Sequence, residues 1–238
     1  MVTQEFQINK QSNKIIEEAF SFLKVNFNFC NFHKQYKSLT VLSSNPKEGK
    51  TTIAINLSMN FANAGVKTLL VDTDFRKHIR GKNLSLDVKD GLANYLTEDI
   101  KLEDVIVSSN IDNLHYLPCG TSENIPSTLL SSKGFEEFLK EIRFKYEIII
   151  FDTPSISSAV DGYIMASKSD ATLLVIKAGE VGLPTLKRIK EQLEKAKINV
   201  IGVVMNRVEQ SEYRKIFGAY DYYIKKIKFT RNVRKTHN

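Results

Sequence analysis

The chain has 238 residues, 42% of them hydrophobic, which is enough for one sizeable core in a single large α/β domain. Its longest uninterrupted apolar runs, such as Ile148–Phe151, fall far short of the ~20 residues a membrane span needs, and the opening stretch MVTQEFQINKQSNK lacks the apolar core of a signal peptide. The expectation is a soluble chain that stays in the cytoplasm. The net charge of +7 is concentrated in residues 211–238, where eight Lys or Arg face only Glu212 and Asp221, so the body is near neutral and the tail is basic. Such a tail is either a solvated extension or an attraction for anionic membrane or an acidic partner. Two cysteines, Cys30 and Cys119, and four histidines without ligand spacing exclude a disulfide framework and a zinc site, leaving structural thiols.

The pattern predicts an N-terminal helix at about 14–25, whose phenylalanines and those just after it (Phe20, Phe22, then Phe27, Phe29, Phe32) give a sticky surface that core packing explains in part and a protein contact would explain for the rest. Short apolar runs then predict strands at 39–43, 67–72, 113–118, 146–152, 171–177 and 199–206. Between them, 50–64 and 183–197 have the clearest helical pattern; in the second, Leu186, Ile189, Leu193 and Ala196 form one buried stripe behind the start signal Gly182–Leu183–Pro184. This alternation predicts an α/β fold with a mostly parallel sheet covered by helices on both faces. The chain divides into an N-terminal helical interaction segment (1–35), a nucleotide-binding domain (36–210) and a basic, tyrosine-bearing tail (211–238).

Three stretches carry chemistry. In "VLSSNPKEGKTT" (41–52), a strand runs into Gly49-Lys50-Thr51 at the start of a helix, which gathers backbone N–H groups and a helix N-terminus around a phosphate. Lys50 would reach the β- and γ-phosphates and the Thr51 hydroxyl would bind Mg²⁺, although Ser44 stands where the standard loop has its first glycine. "LLVDTDFR" (69–76) ends a strand with Asp72 and Asp74, at the sheet edge where open α/β folds bind ligands. "IIIFDTP" (148–154) puts Asp152 at the end of a buried strand, from which a carboxylate reaches the metal shell of phosphate-loop enzymes, and Pro154 turns the chain away. Three such stretches at three strand ends, in this order, mark a nucleotide site.

Together they resemble the bacterial tyrosine kinases of capsule and exopolysaccharide synthesis, whose loop is similar to the deviant Walker A loop of ParA/MinD-type ATPases. "SSNPKEGKTT" resembles that family's first motif, "LLVDTDFRK" its D-x-D-x-R motif and "IIIFDTP" its third; "LPCGTSENIPSTLLSSKGFEEFL" (117–139), "SAVDGYIMASKSDATLLVIKAGE" (158–180) and "INVIGVVMNRV" (198–208) follow its pattern too. The chain departs from it at His78, at Thr128, and in the N-terminal helix, where the oligomerising E-x-x-R-x-x-R pattern reads Glu18, Ser21, Lys24. The resemblance implies an ATP-dependent autokinase using Mg²⁺. Its nucleotide would be held by Ser44, Asn45, Lys47, Glu48, Gly49, Lys50, Thr51 and Thr52, with Asn206 and Arg207 at the adenine. Lys50, Asp72 and Asp74 would be catalytic, with Asp72 favoured over Asp74 as base, and Thr51, Asp74 and Asp152 would hold the metal. The acceptors would be Tyr213, Tyr220, Tyr222 and Tyr223 of the tail. The implied partners are the cytoplasmic tail of a membrane-spanning polysaccharide co-polymerase that recruits the kinase to the inner membrane face, a second copy docking through the N-terminal helix, and a cognate tyrosine phosphatase; nucleic acid is not among them. Two other functions compete: a ParA/MinD-like ATPase, whose signature lysine position is filled here by Asn45, and a weakly catalytic nucleotide-gated regulator of polysaccharide export.

Overall fold

In the computed structural model, which describes residues 5–6, 8, 14–76, 90–121, 123–209 and 211–212, the apolar runs become strands of one eight-stranded sheet. In chain order these are β1 (Glu5–Phe6), β2 (Ser38–Ser43), β3 (Thr68–Asp72), β4 (Val107–Ser109), β5 (Leu114–Leu117), β6 (Ile148–Asp152), β7 (Ala171–Lys177) and β8 (Val200–Asn206). Their spatial order is β1-β4-β5-β3-β6-β2-β7-β8, and every pairing is parallel except β4 with β5. The fold is therefore a mostly parallel sheet with helices on both faces, as the alternation predicts.

Period-two alternation decides which helix covers which face. Leu39, Val41, Leu70, Ile148 and Ile150 point into a core shared with Phe27 of α1 (Lys14–Asn31) and Ile53, Leu57 and Phe61 of α2 (Lys50–Ala62). Leu69, Val71, Ile149 and Phe151 point the other way, against Leu92 of α3 (Leu92–Thr97), Leu102 of α4 (Leu102–Val105), Leu130 of α5 (Pro126–Leu130), Phe135 and Phe138 of α6 (Lys133–Lys145) and Met165 of α7 (Asp161–Lys168). A third cluster seats Ile189 and Leu193 of α8 (Leu183–Lys195) beside Leu42 and Leu174. Strands buried on both faces read as continuous apolar runs, which is why they were visible in the sequence.

Three expectations need correction. Helix α1 continues to Asn31, beyond the predicted end at 25, because the Phe27 ring packs edge-on against Phe61 with centroids 5.4 Å apart and so draws a weakly helical stretch along. The α8 stripe stops at Leu193; Ala196 caps the helix and is exposed. Cys119 is buried as a structural thiol should be, whereas Cys30 is exposed. The outer face of α1 and the turn after it carry Phe22, Val25, Phe29 and Phe32 in the open, with Phe32 78% exposed, so the surplus of phenylalanine does stand at the surface.

At the sheet end away from the carboxyl termini of the strands, Asp170 ties β2 to β7. It accepts the Lys37 and Ser38 amides at 2.9 and 2.8 Å, the Ser38 hydroxyl at 2.9 Å and Arg143 Nη2 at 2.7 Å. No helix among the described residues is long and apolar enough to cross a membrane.

Candidate functional site

The site lies at the carboxyl end of the central strands, where β2 has β6 on one side and β7 on the other. Parallel strands all end at the same edge, so the loop after β2 and the carboxylates ending β3 and β6 are brought together by topology alone. Asp72 and Asp152 are direct partners in the β3–β6 register. They share parity with Leu70 and Ile150, the residues facing α2, so both carboxylates lie on the side where the phosphate loop enters its helix.

The loop is built around Gly49, the N-cap of α2, which adopts φ 99°, ψ 19° in the left-handed region. A Cβ there would stand 2.1 Å from Asn206 Nδ2, so glycine is required both by the backbone and by what packs on it. Lys47 also takes a positive φ of 64°, strain of a kind that clusters at functional sites. Lys50, the first residue of α2, is buried at the helix N-terminus.

Ser44 answers the question of the missing first glycine. Its hydroxyl donates to both oxygens of the Glu48 carboxylate, at 2.8 and 2.9 Å, and the Asn45 amide donates to the same group at 2.8 Å. Glu48 is fully buried, and a buried carboxylate persists only where donors replace water. The Ser44 side chain thus closes the loop across its mouth. The sequence contained both residues but no rule pairing them, because the contact depends on the loop's curl.

The carboxylates are close to one another and dry. Thr51 Oγ1 donates to Asp152 Oδ2 at 2.6 Å, and the Asp74 amide donates to Asp72 Oδ1 at 2.9 Å. Burial, then the charge of Asp152, and to a lesser degree that of Asp74, push the Asp72 carboxyl well above the ordinary range, against the opposing pull of the Asp74 amide. Oδ2 of Asp72 is buried with no hydrogen-bond partner among the described residues. Burial, followed by the Asp72 charge, likewise lifts the neighbouring Cys119 thiol, which keeps it protonated and inert.

These residues suit a Mg²⁺-bound nucleotide. Among the described residues no three His, Cys, Asp or Glu side chains form a cage for a metal. A hydroxyl with one or two carboxylates beside it at a phosphate loop has the chemistry to serve as the protein half of a magnesium shell that substrate phosphates would complete.

Of the other expected residues, Asn206 ends β8 against the loop, its Nδ2 donating to the Glu48 carbonyl at 2.8 Å, while Arg207 follows it and is exposed. Thr52 follows Thr51 in the first turn of α2. Tyr213, Tyr220, Tyr222 and Tyr223 lie outside the described residues. One partner was missed in the sequence: Asp161, buried at the start of α7, receives Arg76 Nε at 3.0 Å, although Arg76 itself is 48% exposed. This pair ties the segment after Asp74 to the opposite side of the site, and the arginine of D-x-D-x-R was the only hint that such a carboxylate existed.

Residues 36–203 match the AAA domain family. The chain is 35% identical over 211 residues to the tyrosine-protein kinase CpsD of Streptococcus pneumoniae, covering 88% of this chain and 91% of that one. Among solved structures it resembles the chimerical protein CapA2B2, with a TM-score of 0.78 and 29% identity over 86% of this chain and 94% of that chain. The septum site-determining protein MinD of Pyrococcus horikoshii, solved with Mg-ADP, is more distant, with a TM-score of 0.59 and 25% identity over 74% and 72% of the two chains.

Proposed function

Because the chain belongs to the AAA domain family and, within it, to the bacterial tyrosine kinases related to CpsD, we propose that it transfers the γ-phosphoryl group of ATP to tyrosine, its own tail included, in capsular or exopolysaccharide synthesis. The observation that supports this best is the buried Asp72–Asp152 pair beside the phosphate loop, with Asp74 two residues on. It supplies both carboxylate functions that phosphoryl transfer to a hydroxyl requires, metal binding and proton acceptance.

The position of each residue supports the task assigned to it. Lys50 and the backbone amides of 47–52 hold the β- and γ-phosphates, the left-handed turn at Gly49 leading the chain into the first turn of α2. Thr51, Asp152 and Asp74 would hold Mg²⁺, which supplies neutralisation of the charge developing on the transferred group. Asp72, whose affinity for a proton is raised by burial and by its neighbours, accepts the proton of the attacking tyrosine hydroxyl. Asn206 and Arg207 border the adenine. Arg76, anchored by Asp161, holds the arm that carries both aspartates.

Tyr213, Tyr220, Tyr222 and Tyr223 are the acceptors offered to a neighbouring copy. The exposed phenylalanines of α1 fit self-association or docking of the cytoplasmic tail of a membrane-spanning co-polymerase, which would place the kinase at the inner membrane face, and a tyrosine phosphatase would reset it. A ParA/MinD-like cycling ATPase shares the fold, but Asn45 stands where that class uses its signature lysine.

The test is a phosphotyrosine map by mass spectrometry after incubation with Mg-ATP, alone and with the co-polymerase tail, for the wild type and Lys50→Met. Phosphate on the tail tyrosines of the wild type and none in the variant is expected. ATP turnover without any phosphotyrosine would assign the chain to the cycling ATPases instead.

A further inference from the structure

The Asn206 side chain is fixed at both ends. Its Oδ1 accepts the Arg207 amide at 2.9 Å, and its Nδ2 donates to the Glu48 carbonyl at 2.8 Å. The next residue of the loop, Gly49, leaves room for that amide and for nothing larger, since a Cβ there would overlap it at 2.1 Å. Arg207 holds a left-handed φ of 54°, so the chain turns directly after Asn206, the last residue of β8. On its other side Glu48 is fastened through its buried carboxylate to Ser44 Oγ and the Asn45 amide. A continuous chain of hydrogen bonds therefore runs from the end of β8, through Asn206 and Glu48, to the first residues of the phosphate loop.

We propose that Asn206 and Glu48 form a clasp that positions the phosphate loop, so that Asn206 acts on the phosphates as well as bordering the base. The proposal rests on the nucleotide-site reading above and deepens it. If Asn206 touches only the base, its loss weakens ligands that have a base and leaves bare phosphates alone. If it holds the loop in shape, its loss weakens both, because the amides of 47–50 lose their common orientation toward the anion. Loss of one hydrogen bond to a buried carbonyl corresponds to roughly a tenfold change.

The experiment is calorimetric titration of the full chain with Mg-ADP and with magnesium tripolyphosphate, for the wild type, Asn206→Ala and Asn206→Asp. Asp keeps the size and removes the donor toward Glu48, so it decides the matter should the alanine variant fail to fold. The expected result is that tripolyphosphate affinity falls by about tenfold in the variants, with ADP falling at least as far. Unchanged tripolyphosphate affinity, with or without a loss for ADP, overturns the clasp. A wild type that binds neither ligand overturns the nucleotide-site reading itself, and the clasp with it.

Discussion

Replacing Asp72 by Asn should stabilise the metal-free protein while destroying its chemistry. Neighbouring strands lie about 4.8 Å apart. Two ionised carboxylates at the register partners Asp72 and Asp152, roughly 5 Å apart at an effective dielectric near 20, repel by about 3 kcal/mol. Burial and the Asp152 charge raise the affinity of Asp72 for a proton, which lessens this repulsion. A side-chain amide in its place carries no charge at all, and the amide oxygen can still accept the Asp74 N–H. A relief of about 2 kcal/mol remains at neutral pH, which in a chain of this size raises the melting temperature by roughly 4–8 °C.

The pH dependence gives the sign independently. A carboxyl whose folded-state pKa lies above its unfolded value binds a proton more tightly in the folded state. The metal-free wild type therefore loses stability as the pH rises from the ordinary value of 3.8 through the raised folded value, and Asp72→Asn should flatten that decline. Thermal melts from pH 4 to 8, with and without Mg-ADP, are the assay. Added Mg-ADP should stabilise the wild type more than the variant, narrowing the gap, and tyrosine phosphorylation by the variant should fall by orders of magnitude. A variant less stable than the wild type without metal, with the pH dependence unchanged, would refute the argument from charge.

Gly49→Ala should lose nucleotide binding and about 1–3 kcal/mol of stability, because the new Cβ meets Asn206 in a left-handed turn; titration and melting together check it. Asp170→Asn acts on the fold alone. Burial raises the Asp170 carboxyl, but bonds from Arg143 and from the Lys37 and Ser38 amides outweigh it and leave the pKa lowered. Its contribution is present above the ordinary carboxylate range and lost as the pH falls through the folded value, so the difference in melting temperature between wild type and variant should shrink in acid while the phosphorylation rate at neutral pH is kept. Changing Tyr220, Tyr222 and Tyr223 to Phe should remove most incorporated phosphate and leave Mg-ADP affinity intact. Because each phosphotyrosine adds about −1.5 to −2 charge, phosphorylating the wild type should loosen its self-association in sedimentation, and identical assembly of both forms would rule out that switch.

Burial on both faces made the central strands legible. Ile148–Phe151 and Leu69–Val71 are apolar at every position because a parallel sheet hides both sides, and Asp72 and Asp152 stood out as the first charges after them. Strands β1 and β4 were not legible, since two or three residues hold no period, and their pairing is supplied by neighbours distant in sequence. Helix α6 could have been found, for Phe135, Phe138 and Ile142 recur at spacings of three and four behind the cap Ser132. The roles of Glu48, Asp161 and Asn206 were hidden for a different reason. Each contact joins residues from separate turns or elements, and a sequence states no distance between them.

Strand β2 carries the phosphate loop, yet both strands that flank it, β6 and β7, come more than a hundred residues later in the chain. At synthesis rates of roughly 5–20 residues per second, the ribosome needs about 5–20 s after the loop has been made before β6 is complete. Throughout that interval Asp152 does not exist and β2 has no partner on either edge. A nascent chain at this stage therefore lacks the assembled site that phosphoryl transfer would need. The sheet can close around the loop only after β6 and β7 have been made, so the order of the strands alone delays assembly of the site.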